Sequence, residues 1–159
     1  MPGLFFDDYE TPVYRPPSEA ESFILRVTRG CAHNHCTYCN MYRGVQFEKL
    51  TDEEIMRQIA MAYSVDRDGV RRVFLADGDA LVLETERLLK ILNTLKKYFP
   101  NLERVASYAA PGDILRKSVE ELTQLREAGL QILYYGMESG DSQTCLLYTS
   151  PSPRDRSVS

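Results

Sequence analysis

The sequence predicts an α/β protein with a parallel sheet. Four short β-rich runs alternate with three segments of helical periodicity, and the connections are long enough for right-handed crossovers between parallel strands. The second and fourth β-rich runs are almost continuously apolar, as expected for strands that are covered on both faces. This order fits either an open doubly wound sheet or half of a barrel, and periodicity alone does not choose between them.

The first strand and the first helix frame a loop that is rich in cysteine. Residues 23–29 form a β-rich run that ends at Gly30. Thr51 and Glu54 have the spacing of a capping box, so a helix begins there. Ile55, Ile59 and Tyr63 then predict an apolar stripe on that helix, which we expect to extend to about residue 64.

The remaining elements follow the same alternation. Residues 72–76, 105–109 and 131–138 are predicted to form the second, third and fourth strands. The helix after the second strand has an apolar stripe of Leu88, Leu92, Leu95 and Phe99, and it should end before Pro100. Pro111 should stop the third strand. Ser118 and Glu121 predict a second capping box, and Gly129 is predicted to terminate that last helix.

Composition indicates an ordinary globular chain of one domain's length. It has 159 residues, of which 43% are hydrophobic and 26% charged, and a net charge of −4. The charge balance and the absence of a basic stripe give no clear nucleic-acid signal. No apolar run is long enough to span a membrane, and the N-terminus does not resemble a secretion signal. We therefore expect a cytoplasmic protein, in which clustered cysteines more often bind metal or act in catalysis than form disulfides.

We divide the chain into three parts. Residues 1–22 are predicted to be an irregular arm that packs by its aromatic side chains, with a mobile tail as the alternative. Residues 23–143 contain the α/β pattern. Residues 144–159 resemble the translation of a transposase-type sequencing adapter, although a native Ser/Pro-rich disordered tail is the alternative. We accordingly leave Cys145 out of the cysteine cluster and expect the natural protein to continue beyond this sequence.

The cysteine loop, residues 30–39, contains Cys31, Cys36 and Cys39 in the spacing C-x4-C-x2-C. Three thiolates are one fewer than a structural zinc site needs, although His33 or His35 could in principle supply the fourth ligand. A thioredoxin-like redox pair of Cys36 and Cys39 is a second alternative. The interpretation that we favour is a [4Fe–4S] cluster held by three thiolates, with one iron left open for another ligand.

This loop resembles the cluster-binding loop of the radical S-adenosylmethionine (radical SAM) enzymes. The commonest spacing in that family is C-x3-C-x2-C, and the longer spacing here resembles a subgroup close to the methylthiotransferase, coproporphyrinogen-dehydrogenase and Elongator-like enzymes. The resemblance implies a partial (β/α)6 TIM-like barrel, of which this chain would supply the first four strands and would be inactive by itself. It also implies S-adenosylmethionine as cofactor, and an electron donor such as flavodoxin or ferredoxin. Such an enzyme cleaves S-adenosylmethionine to a 5′-deoxyadenosyl radical, which abstracts hydrogen from a substrate.

The resemblance assigns further residues to cofactor binding. Tyr38 would pack against the adenine, as the family's aromatic residue before the third cysteine does. Asp77, Gly78 and Asp79 resemble a Gly-Gly-Glu-like motif that holds the methionyl ammonium, although such a sequence is also common in plain turns. Glu138 and Ser139 resemble a cofactor-contacting segment, although a rim loop is the alternative.

These segments all follow predicted strands. Because the carboxyl ends of parallel strands lie at one edge of a sheet, the sequence predicts that the cysteine loop, residues 77–79 and residues 138–139 meet there. Ser107 and Tyr108, at the end of the third strand, would join the same edge, either in the site or in packing.

Overall fold

The computed structural model describes residues 13–34 and 39–136. Its strands are β1 (Phe23–Arg26), β2 (Thr28–Arg29), β3 (Glu48–Lys49), β4 (Arg72–Ala76), β5 (Arg104–Tyr108) and β6 (Leu130–Tyr134). Its helices are α1 (Asp52–Asp66), α2 (Thr85–Tyr98), α3 (Pro111–Leu115) and α4 (Val119–Glu127), with short 3-10 helices at Pro17–Glu19 and Ala80–Val82.

The central sheet has four parallel strands in the order β1-β4-β5-β6. Neighbours in the sheet follow each other along the chain, with α1, α2 and the α3–α4 pair as the crossovers. The predicted α/β class with a parallel sheet is therefore confirmed, and the arrangement is consistent with a partial TIM-like barrel.

The two faces of the sheet are covered differently. Side chains that alternate along β1, β4 and β5, such as Leu25, Leu75 and Val105, join α1, α2 and α4 in the main hydrophobic core. The opposite face carries a smaller cluster with an aromatic border. Its members are Ile24, Phe74, Ala76 and Ala106, with Val13, Tyr108, Ile132 and Tyr134 packed against them. This second face is the one that the chain segment before β1 reaches.

Both predicted capping boxes are present. The Thr51 hydroxyl accepts the Glu54 amide and the Glu54 carboxylate accepts the Thr51 amide, and Ser118 and Glu121 do the same at α4. Gly129 follows α4 with φ +112°, a conformation that L side chains rarely adopt. These local signals therefore predict correctly where α1 and α4 begin and where α4 ends.

The stripe on α1 differs from the prediction at one position. Ile55 and Ile59 are buried, but Tyr63 is 39% exposed and Ala62 takes the third core position. Steps of four residues overshoot a helical turn of about 3.6 residues, so the third member of such a series rotates away from the core.

The first predicted strand, 23–29, is divided between two sheets. β1 lies in the central sheet, whereas β2 pairs with β3 in a separate antiparallel ribbon. Val27, between them, donates its amide to the Ala76 carbonyl and accepts the Leu50 amide, so the chain changes partners at that residue.

Smaller differences occur near β5 and β6. β5 begins at Arg104, one residue earlier than predicted, and β6 ends at Tyr134. Pro111 starts α3, which the sequence analysis missed, because proline is compatible with the first turn of a helix as well as with the end of a strand.

Several predictions lie outside the described residues. They concern residues 1–12 of the arm, Cys36, Tyr38, Glu138, Ser139 and the tail at 144–159. Within the described part of the arm, Tyr14 packs edge-on against Tyr42, with ring centroids 5.7 Å apart. None of the described helices is both long enough and apolar enough to cross a bilayer.

Candidate functional site

The cysteine loop and the acidic turn, residues 77–79, are in direct contact beyond the carboxyl end of β4. The Gly78 amide donates to the Gly30 carbonyl at 3.2 Å. A β-carbon on Gly78 would lie 2.7 Å from the Cα of Cys31 and 2.8 Å from its Cβ. Only glycine allows this approach, so the acidic turn packs directly against Cys31.

Asp77 is fully buried and forms an ion pair with Arg26 at the end of β1. Its Oδ2 lies 3.1 Å from Arg26 Nε and accepts the Gly30 amide at 3.1 Å. Burial raises the pKa of Asp77, and the Arg26 charge and the Gly30 amide oppose that rise. Its other oxygen, Oδ1, is buried without a hydrogen-bond partner among the described residues.

Asp79 ties the acidic turn to the segment after β5. Its Oδ1 accepts the Leu81 amide at 2.7 Å, and its Oδ2 accepts the Ala110 amide at 2.6 Å. Burial, together with the nearby Asp113 carboxyl, raises the pKa of Asp79 to about 7 against the two amides that lower it. Both carboxylate oxygens of Asp79 therefore already accept hydrogen bonds from the backbone.

Asn34 is a residue of the cysteine loop that the sequence analysis missed. Its φ is +43°, and its Nδ2 donates to the Tyr42 carbonyl at 3.0 Å and lies 3.5 Å from the Val45 carbonyl. Asparagine tolerates this left-handed conformation better than most residues, which was the available signal. Asn34 therefore joins the loop to the segment that follows Cys39.

Tyr42 is a second missed residue. It is 5% exposed, and its hydroxyl is buried without a hydrogen-bond partner among the described residues. Burial, then the charge of Asp77, raises the pKa of Tyr42, so the phenol stays protonated. Nothing in the sequence distinguished this tyrosine from the other nine, because its burial arises from tertiary packing.

The two described cysteines, Cys31 and Cys39, are free thiols of intermediate exposure. In the ranges 13–34 and 39–136, no group of three or more His, Cys, Asp or Glu side chains could hold a metal ion. Cys36, the remaining predicted ligand, is outside those ranges. The donor chemistry nevertheless fits a thiolate-bound cluster with a polar cofactor, because Cys31 lies against the turn that carries the buried, unpartnered carboxylate oxygen of Asp77.

Of the predicted site residues, the structure brings together Cys31, Asp77, Gly78 and Asp79. Ser107 and Tyr108 lie at the end of β5, at the same edge of the sheet, but the contacts described for them stabilise the fold. The Ser107 hydroxyl donates to the Tyr108 carbonyl, and the Tyr108 ring packs edge-on against Phe74 at 5.2 Å.

Comparison with known proteins gives one positive result. The model of the Radical SAM superfamily matches residues 25–156, which is most of the chain. No curated protein and no solved structure matched the chain. The matched range includes the cysteine loop and the acidic turn, which are in direct contact. This chain belongs to the radical SAM superfamily.

Proposed function

We propose that this chain binds a [4Fe–4S] cluster through the thiolates of Cys31, Cys36 and Cys39, and S-adenosylmethionine at the iron that they leave open. The observation that carries the proposal is the contact between Gly78 and Cys31, which sets the acidic turn directly against the first cysteine. When bound, the cluster supplies the electron that cleaves S-adenosylmethionine to methionine and a 5′-deoxyadenosyl radical, which abstracts hydrogen from a substrate.

Asp77 is the acidic residue that we assign to the methionyl ammonium of the cofactor. Its Oδ1 is a buried acceptor with no partner among the described residues, and an ammonium would satisfy it. The ammonium would place a second positive charge near Asp77, in addition to that of Arg26. This charge would favour the ionised form of Asp77, which burial disfavours. Asp79, by contrast, holds the acidic turn in place through the Leu81 and Ala110 amides.

Further assignments follow from the family pattern. We propose that Tyr38 packs against the adenine and that Glu138 and Ser139 contact the ribose or the methionyl end. The spacing of the cysteines supports the subgroup close to the methylthiotransferase, coproporphyrinogen-dehydrogenase and Elongator-like enzymes. We propose a flavodoxin or a ferredoxin as the electron donor.

Anaerobic reconstitution tests the proposal. We expect about four irons and four sulfides per chain, and a cluster spectrum that changes when S-adenosylmethionine is added. Cys36→Ala should lower the iron content, whereas Cys145→Ala is the matched control, because the proposal gives Cys145 no ligand role. One zinc per chain, with no response to S-adenosylmethionine, would instead support a non-catalytic zinc or thiol redox module.

A further inference from the structure

We infer that Tyr42 is a further cofactor-binding residue of this site, whose hydroxyl donates a hydrogen bond to the carboxylate at the methionyl end of S-adenosylmethionine. The inference rests on the proposed function, since it requires the cofactor to bind beside the cysteine loop. It concerns a residue of the segment that follows Cys39, outside the cysteine triad and the acidic turn.

The position of Tyr42 is set by contacts at both ends of the residue. Its carbonyl accepts the Asn34 side-chain amide at 3.0 Å and the Val45 backbone amide at 3.0 Å. Its ring is fixed edge-on by Tyr14, and the residue is 5% exposed. Tyr42 therefore has little freedom to move its hydroxyl towards solvent.

The Tyr42 hydroxyl is within electrostatic range of the site. Beyond the effect of burial, Asp77 raises its pKa and Arg26 lowers it, and Tyr108 and Cys31 raise it further. No described residue hydrogen-bonds to this hydroxyl, although buried tyrosine hydroxyls usually have a partner. A buried donor without a partner destabilises the protein unless a ligand supplies the acceptor.

Tyr42 and Asp77 together match the chemistry of an α-amino acid. The Tyr42 phenol is a donor, and Asp77 Oδ1 is an acceptor; both atoms are buried and lack a partner among the described residues. The methionyl end of the cofactor carries an ammonium donor and a carboxylate acceptor. We assign the ammonium to Asp77 and the carboxylate to Tyr42, because a charged acceptor makes the stronger hydrogen bond with a phenol.

The substitution Tyr42→Phe in the full chain removes only the hydroxyl. If no protein group bonds to it, the cofactor-free variant should melt at the wild-type temperature or slightly higher. The reconstituted variant should bind S-adenosylmethionine about tenfold more weakly in anaerobic equilibrium dialysis, since one hydrogen bond to a charged group is lost. Tyr63→Phe is the matched control, because Tyr63 is a partly exposed residue of α1. This substitution should change neither the melting temperature nor the affinity for S-adenosylmethionine.

A second probe separates the carboxylate from the rest of the cofactor. Decarboxylated S-adenosylmethionine keeps the ammonium but offers Tyr42 no carboxylate, so the wild-type preference for S-adenosylmethionine over this analogue should fall about tenfold in the variant. An unchanged preference would overturn the assignment. A large drop in the melting temperature of the cofactor-free variant would also overturn it, because the hydroxyl would then have a partner within the chain.

The test distinguishes this inference from the proposed function. If the wild-type chain binds no S-adenosylmethionine after reconstitution, the proposed function fails. If the wild-type chain binds it and Tyr42→Phe binds it equally well, only the role of Tyr42 fails.

Discussion

Gly78 is the residue of the site that the structure constrains most tightly. A β-carbon there would meet the backbone and β-carbon of Cys31, which cannot rotate away as the end of a flexible side chain could. We expect Gly78→Ala to displace the cysteine loop, to destabilise the protein by about 1–3 kcal/mol, and to lower the iron content after reconstitution. Urea denaturation and iron analysis measure the two effects.

Gly112→Ala is the matched control. This glycine lies in α3, and a β-carbon there would have no neighbour within 4 Å. Because alanine favours the helix, the control should be neutral or slightly stabilising and should leave the iron content unchanged. Equal iron content in both variants would mean that the contact between Gly78 and Cys31 does not matter for cluster binding.

Asp79 should make the stability of the fold depend on pH. Its pKa is raised from 3.8 to about 7, so between those values the folded state holds a proton that the unfolded state has released. Its contribution is therefore largest below about pH 4 and is lost as the pH rises through 7. We expect Asp79→Asn to remove this part of the pH dependence, measured as the difference between wild-type and variant urea midpoints from pH 4 to pH 8. Parallel curves would contradict the raised pKa.

At this scale the sequence reveals residue types and their spacing, but not the contacts that those residues make. The cysteines and the acidic turn are recognisable from spacing, and the structure brings Cys31 and residues 77–79 together. The Ala110 amide that occupies Asp79 Oδ2 is distant in the sequence, and the burial of Tyr42 arises from tertiary packing. No local pattern encodes such contacts.

At the scale of elements, the capping boxes offer the clearest test. The Ser118 hydroxyl accepts the Glu121 amide, and Glu121 in turn accepts the Thr85 hydroxyl at 2.6 Å, which links α4 to the first residue of α2. We expect Ser118→Ala to reduce the free energy of unfolding by about 1 kcal/mol, without changing cluster content. Thermal denaturation followed by circular dichroism measures the loss.

Thr123→Ala is the control for that experiment, because its hydroxyl donates to the Val119 carbonyl within α4 and caps nothing. Its effect should stay within about 0.5 kcal/mol. Equal losses in both variants would assign the effect of Ser118 to general helix propensity and not to capping.

The elements themselves were largely predictable, since β4 and the capped starts of α1 and α4 follow from local sequence patterns. The division of residues 23–29 between two sheets was not predictable, because it depends on the distant partners β3 and β4. α3 was missed for a different reason: five residues are too few to produce a helical period, and a proline is compatible both with the end of a strand and with the first turn of a helix.

At the scale of the whole molecule, Glu19 joins the segment before β1 to the far strands of the sheet. It is fully buried, and its carboxylate accepts hydrogen bonds from Ser22 at 2.5 Å, Arg104 at 2.8 Å and Tyr134 at 2.6 Å. Burial opposes ionisation, but these partners outweigh it and hold the pKa of Glu19 below its usual range. The segment before β1 is thus held to β5 and β6 by the polar contacts of Glu19.

Glu19→Gln keeps the shape of this side chain and removes its charge, which leaves Arg104, 18% exposed, without its counter-ion. We expect a loss of about 2 kcal/mol in the free energy of unfolding at pH 7, somewhat less than for a fully buried pair. Glu19→Gln combined with Arg104→Met should lose less than Glu19→Gln alone, because no unpaired charge remains. Urea denaturation of the wild type and the two variants measures these differences.

The same network predicts a dependence on pH of opposite sign to that of Asp79. Because the folded pKa of Glu19 is lowered from 4.5, its stabilising contribution is present above that value and is lost as the pH falls through the folded pKa. The stability difference between the wild type and Glu19→Gln should therefore shrink as the pH falls below 4.5. A difference that stays constant down to pH 3 would mean that the charge of Glu19 does not hold the arm to the sheet, and that packing of its side chain does.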